Sequence, residues 1–181
     1  MYELHQNEQY FFNAPTLNRL ADFVVTGSFT NPCCLCCPLL GQELARRNIA
    51  ARSLDIDERF AGTLGFMRYD IYRPAWTGES YDLIICDPPF FKVSLAQLFK
   101  AVRTLSQHDF SQPLLLCYLS RRASNVLGAF SRFNLRATGL RAGYQTVQDT
   151  ERNDIEFFTN LSEPTLQRLA CEPHTPCGDS K

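Results

Sequence analysis

Residues 81–90 read Tyr81-Asp82-Leu83-Ile84-Ile85-Cys86-Asp87-Pro88-Pro89-Phe90. The first six form a short apolar run with no helical spacing, and they predict a buried central strand over 81–86. The next four predict a stiff turn. Two successive prolines fix φ twice and remove two backbone donors. A carboxylate precedes them and an aromatic ring follows.

Working outward, apolar runs alternate with longer amphipathic ones. Strands are expected at 33–37, 51–56, 66–70 and 113–119, with two more near 135–143 and 154–159. Helices are expected at 15–25, 39–47, 94–105 and 121–130, each with apolar residues on one face. Near-continuous apolar strands separated by helices predict an α/β fold, a mostly parallel sheet with helices on both faces. Such sheets bind ligands beyond the carboxyl ends of their strands, near the switch point in strand order.

Composition agrees. The chain has 181 residues, 45% hydrophobic and 20% charged, which suits one globular domain. That domain is expected over 1–165, opening with an aromatic segment and helix over 1–26. Residues 166–181, rich in proline and polar groups, are expected to be a flexible tail. A net charge of −1 rules out a global basic field, so positive charge for a nucleic acid would have to be local. No run of about 18 apolar residues suggests a membrane span. No basic stretch followed by an apolar run opens the chain, so no signal peptide is expected. Eight cysteines without such a signal suggest reduced thiols in the cytoplasm.

The residues after each strand are the candidates for chemistry. Asp87 and the Pro88 carbonyl can each accept a hydrogen bond from one NH2 group, while Phe90 can stack on a planar base. An exocyclic adenine amine is a weak nucleophile because its lone pair is delocalised into the ring. Acceptors that hold both of its hydrogens favour a pyramidal nitrogen whose lone pair turns outward, so positioning and electrostatics carry the reaction. A base in a duplex would first have to be flipped out. Asp57, beyond the second strand and two residues after Asp55, is placed to accept from ribose hydroxyls. Asp70, beyond the third strand, is either a ligand for the cofactor's adenine amine or a loop acid. After the first strand, Pro38-Leu39-Leu40-Gly41 offers only Gly41 where a Gly-rich cradle is expected.

Taken together, these stretches resemble the probable N6-adenine methyltransferase family, small seven-strand enzymes. Its members include a ribosomal-RNA adenine methyltransferase with zinc fingers and a lysine methyltransferase of elongation factor 1A. The matching pieces are Gln9-Tyr10-Phe11-Phe12, Leu54-Asp55-Ile56-Asp57-Glu58-Arg59-Phe60, Phe66-Met67-Arg68-Tyr69-Asp70, the 81–90 stretch, and Phe157-Phe158-Thr159-Asn160. They keep the family's order and similar spacing over about residues 8 to 162. The resemblance implies a class I methyltransferase fold, Rossmann-like with one antiparallel strand, and S-adenosylmethionine as cofactor. It implies that Gln9, Tyr10, Phe11 and Phe12 fold over the cofactor and substrate. Asp57 would hold the ribose, Asp70 the adenine end, and Asp87, Pro88, Pro89 and Phe90 would form the catalytic loop. Asp87 and Pro38 also count among the cofactor contacts, and Phe90, Phe91 and Lys92 among the substrate contacts. Where relatives have Gly, Thr or Ser before the proline of the first turn, this chain has Cys36-Cys37-Pro38. It also lacks the zinc fingers.

Two cysteine patterns invite a metal reading. Cys33, Cys34, Cys36 and Cys37 contain overlapping C-x-x-C spacings, but on a buried strand neighbouring side chains point to opposite faces, so packing is expected and no metal. Cys171, His174 and Cys177 fall in the expected tail. Arg121, Arg122, Arg132, Arg136 and Arg141 gather after the fifth strand, either on phosphates or on a solvated face. Three functions follow. The first is N6-methylation of adenine in nucleic acid, with Phe90 in place of Tyr leaning toward RNA among relatives. The second is methylation of a protein lysine, whose amine must first lose a proton. The third, suggested by the unusual first turn, is an inactive scaffold that binds a partner.

Overall fold

The computed structural model describes residues 2–4, 9–147 and 153–170. Helix α1 (Ala14–Thr26) starts where the Asn13 side chain accepts from the Thr16 N–H at 3.0 Å, and Pro15 occupies the first turn, where its missing donor costs nothing. It stops at Gly27. Strand β1 (Pro32–Leu35) leads to α2 (Pro38–Arg46), β2 (Arg52–Asp55), β3 (Phe66–Arg68) and β4 (Leu83–Cys86). Then come α3 (Leu95–Leu105), capped by Ser94, β5 (Leu114–Leu119), α4 (Ala123–Ala129), β6 (Arg136–Arg141), β7 (Ile155–Thr159) and α5 (Glu163–Ala170).

The strands form one seven-stranded sheet in the order β3-β2-β1-β4-β5-β7-β6. All neighbours are parallel except β7, which runs against both β5 and β6. Every residue of β1, β4, β5 and β7 is buried, as a sheet covered on both faces requires. Edge strand β6 alternates half-buried with exposed residues. One helix layer packs α1 against α2 and α5, and the other packs α3 against α4. Strand order reverses between β1 and β4. There the Asp87 N–H donates to the Leu35 carbonyl at 3.1 Å, binding the two strand ends together.

Three expectations need correction. Cys36 and Cys37 are not in the strand, because β1 ends at Leu35 and Cys36 turns with φ +59. The expected domain end at residue 165 falls inside α5, whose Leu166 and Leu169 are buried and whose Arg168 donates to the Thr26 carbonyl at 2.6 Å. Residues 171–181, with Cys171, His174 and Cys177, lie outside the described residues. Gly41 is no cofactor cradle, since a Cβ there would sit 2.6 Å from Ser53, so its role is to let α2 approach β2.

Candidate active site

The carboxyl ends of β1, β2, β3 and β4 open onto a cavity of about 650 Å³. Asp87, Pro88, Pro89 and Phe90 line it, as do Pro38, Asp57, Asp70 and Lys92. Gln9, Tyr10, Phe11 and Phe12 also line it from the N-terminal segment. Phe91 does not. It stands outside at 67% exposure, with the Arg121 guanidinium 6.0 Å from its ring centre.

The catalytic-loop candidate is held from two sides. The Phe90 ring meets Tyr118 of β5 edge-on at 5.3 Å, and the Tyr118 hydroxyl donates to the Phe90 carbonyl at 3.2 Å. Asp87 is 8% exposed and accepts a 2.6 Å hydrogen bond at Oδ1 from the Tyr144 hydroxyl. Burial pushes the Asp87 carboxyl up to about 8, with Asp55 adding to the rise and the Tyr144 bond opposing it.

Asp55 is the last residue of β2, and its Oδ1 accepts from the Asp57 N–H at 2.8 Å. Burial, then the neighbouring Asp57 charge, raises it to about 6. Asp57 caps the short 3-10 turn Glu58–Phe60. Burial would raise its carboxyl, but the hydrogen bonds from Arg59 and Gln9 outweigh this and hold it below the usual range. Both acids line the cavity. Since the strand stops at Asp55, nearness to the strand end does not by itself single out Asp57. Asp70 also faces the cavity, while its Oδ1 accepts from the Tyr72 N–H at 2.9 Å. The acid therefore serves as a turn cap with a second oxygen to spare.

The N-terminal segment is strapped across this mouth. Gln145 donates its N–H to the Phe11 carbonyl and Asn13 donates to that of Gly143, both at 2.9 Å, so Phe12 and Tyr144 form a β-bridge. A Cβ at Gly143 would sit 2.3 Å from Asn13 Nδ2, so a larger residue there would have to displace the side chain that caps α1. The Phe12 and Tyr144 rings lie 5.1 Å apart, and Phe11 meets Phe60 edge-on at 5.9 Å.

The turn after β1 keeps its shape without glycine. Cys36 adopts the left-handed region itself, its N–H donates to Leu54 at 2.9 Å, and Pro38 then starts α2. The arginine cluster is divided. Arg141 pairs with Asp154 at 2.7 Å and Arg136 with Glu163 at 3.2 Å, while Arg132 lies over Phe110. Arg122 reaches the Tyr118 hydroxyl, and Arg121 lies over Phe91 at the loop. Among the described residues, no group of three or more His, Cys, Asp or Glu is arranged to hold a metal ion. Nor does any described helix have the length and apolarity to cross a membrane.

Sequence reasoning passed over Tyr144 altogether. No local pattern marks it, since its partner lies 57 residues away in the chain.

Three solved structures share the fold. The magnesium protoporphyrin IX methyltransferase ChlM from Synechocystis PCC 6803, with bound SAM, is 16% identical with a TM-score of 0.54, over 80% of this chain and 77% of that one. A TehB-like SAM-dependent methyltransferase from Corynebacterium glutamicum is 12% identical with a TM-score of 0.51, over 78% of this chain and 86% of that one. The 16S rRNA methylase RmtB is 12% identical with a TM-score of 0.51, over 81% of this chain and 62% of that one. No curated protein matches the sequence. The family match covers residues 3–162, and on it the chain belongs to the probable N6-adenine methyltransferase family.

Proposed function

We propose that the protein methylates the N6 amine of adenine in RNA. Methyl transfer and S-adenosylmethionine as cofactor come with the family and the class I fold; the acceptor is our reading. The cavity fits the cofactor. Its volume is that of a small-molecule site, and its lining supplies acids for ribose hydroxyls and an amine together with aromatic rings. Asp57 or Asp55 would hold the ribose and Asp70 the adenine end. Cys36 and Pro38 would line the methionine end, under the strap from Gln9 to Phe12. When bound, the cofactor supplies an electrophilic methyl group.

The protein's residues do the rest. Asp87 and the Pro88 carbonyl take the two hydrogens of the acceptor NH2, and Phe90 packs on the base. The two prolines stiffen the loop that carries these acceptors, so their positions are set before the amine arrives. No base is required, because the nitrogen's proton can leave after transfer.

The observation that carries RNA over other acceptors is the rim. Phe91 and Tyr72 are exposed aromatics beside the exposed cations Lys92 and Arg121, and the Tyr72 hydroxyl donates to the Lys92 carbonyl at 2.6 Å. Exposed rings interleaved with cations suit stacked bases and phosphates of a single strand. The carboxyl at Asp87, raised to about 8, favours a second reading, since it could take the proton from a lysine ammonium. The six free cysteines among the described residues fit a reducing, cytoplasmic setting. To test the acceptor, the purified protein is incubated with methyl-labelled cofactor and total RNA, DNA or protein. Label in RNA is expected; label in protein alone would overturn the proposal.

A further inference from the structure

We infer that Tyr144 is a positioning residue for methyl transfer, fixing Asp87 by donating to Oδ1 so that Oδ2 is presented to the acceptor amine. The inference rests on the reading of Asp87 as the group that holds that amine.

Geometry supports it from both ends of the bond. Asp87 leaves β4 through a turn stiffened by Pro88 and Pro89, so its backbone is fixed and χ1 and χ2 are what remain to be set. The Tyr144 hydroxyl, 2.6 Å from Oδ1, sets them. Both groups are largely buried, 8% exposed each, so breaking the bond would leave two polar groups poorly satisfied. Tyr144 is itself fixed. Its ring packs 5.1 Å from Phe12, its backbone bridges Phe12, and its neighbour Gln145 bonds to Phe11. The strap that covers the cavity therefore also holds the phenol that aims the catalytic carboxyl.

The bond also affects the charge on Asp87. A donor to the carboxylate favours the ionised form, which is the better acceptor for an NH2 group. Among the titratable groups around Asp87, Asp55 at the end of β2 opposes ionisation, and so does burial. The nearby thiols of Cys36, Cys37, Cys86 and Cys117 are raised well above their usual range and stay uncharged. The Tyr144 bond works against burial and Asp55.

The test uses the full chain and its rate of transfer to RNA across pH. Wild-type kcat is expected to rise through about pH 8 as Asp87 ionises. In Tyr144→Phe, cofactor affinity is expected to hold. Its kcat should fall about 10- to 100-fold, the worth of one hydrogen bond to a charged group, and the rise should move to higher pH. Site-specific 3-fluorotyrosine at 144 keeps the shape and strengthens the donor, so the rise should move to lower pH. This second variant decides the matter if Tyr144→Phe does not fold. A profile unmoved in either variant would overturn the inference. Asp87→Ala separates the two readings. If it keeps transfer, the role of Asp87 fails; if it loses transfer while Tyr144→Phe does not, the positioning role alone fails.

Discussion

Arg59 and Asp57 close on each other across one turn, with the guanidinium Nη2 2.6 Å from Asp57 Oδ2 and 2.7 Å from Gln9 Oε1. Gln9 returns its amide N–H to the same carboxylate at 2.8 Å. The ring of three side chains fastens the N-terminal strap to the end of β2. A cofactor ribose would meet Asp57 beside it.

If Asp57 holds the ribose hydroxyls, Asp57→Ala should weaken cofactor binding about 10- to 100-fold by calorimetry. Asp55→Ala serves as the comparison. Unchanged affinity in the first with a loss in the second would assign the ribose to Asp55.

Cys36 is the one half-exposed thiol among the described cysteines, and it lines the cavity. Burial and the Asp55 and Asp87 carboxylates raise its thiol, so alkylation at neutral pH should be slow and should speed up above pH 9. Bound cofactor should protect Cys36, read by mass spectrometry at that residue. Equal labelling with and without cofactor would remove the turn from the cofactor site. Cys36→Gly should keep cofactor affinity, because glycine adopts φ +59 without strain.

The raised carboxyl of Asp87 costs stability. Between about pH 4 and pH 8 the unfolded chain ionises this group while the folded protein keeps it protonated, so the folded state binds the extra proton and stability falls as pH rises. Asp87→Asn should therefore melt a few degrees higher than wild type at pH 8, with the gap closing near pH 4. Equal melting curves at both pH values would show that burial does not perturb Asp87.

On the rim, Lys92→Ala and Arg121→Ala should raise KM for RNA with little change in kcat. Each should also lower the log–log salt slope of binding by about 0.7, the value for one phosphate contact on a single strand. Phe91→Ala should raise KM without changing that slope. A rim that binds RNA no less tightly after all three changes would point away from nucleic acid.

The sheet was legible because β1, β4 and β5 are short, apolar and buried on both faces. Asp87 to Phe90 stood out because two prolines after such a strand have few uses. Other parts were hidden for physical reasons. Helix α5 shows only Leu166 and Leu169 as a buried stripe in a polar, proline-flanked stretch, which reads as tail. The choice between Asp55 and Asp57 rested on where β2 ends; the strand stops one residue short of the expected end, and both acids line the cavity. Tyr144 follows a glycine in a segment without periodicity, and its meaning lies wholly in a contact across the fold. The arginines after β5 looked like one patch, but Asp154, Glu156 and Glu163 neutralise two of them.

The most direct measurement is nucleoside mass spectrometry of RNA after incubation with the purified protein and S-adenosylmethionine. Wild type should yield N6-methyladenosine, and Asp87→Ala, folded and still binding cofactor, should yield none. N6-methyladenosine made equally well by Asp87→Ala, or methyl groups found on lysine and absent from RNA, would contradict the account.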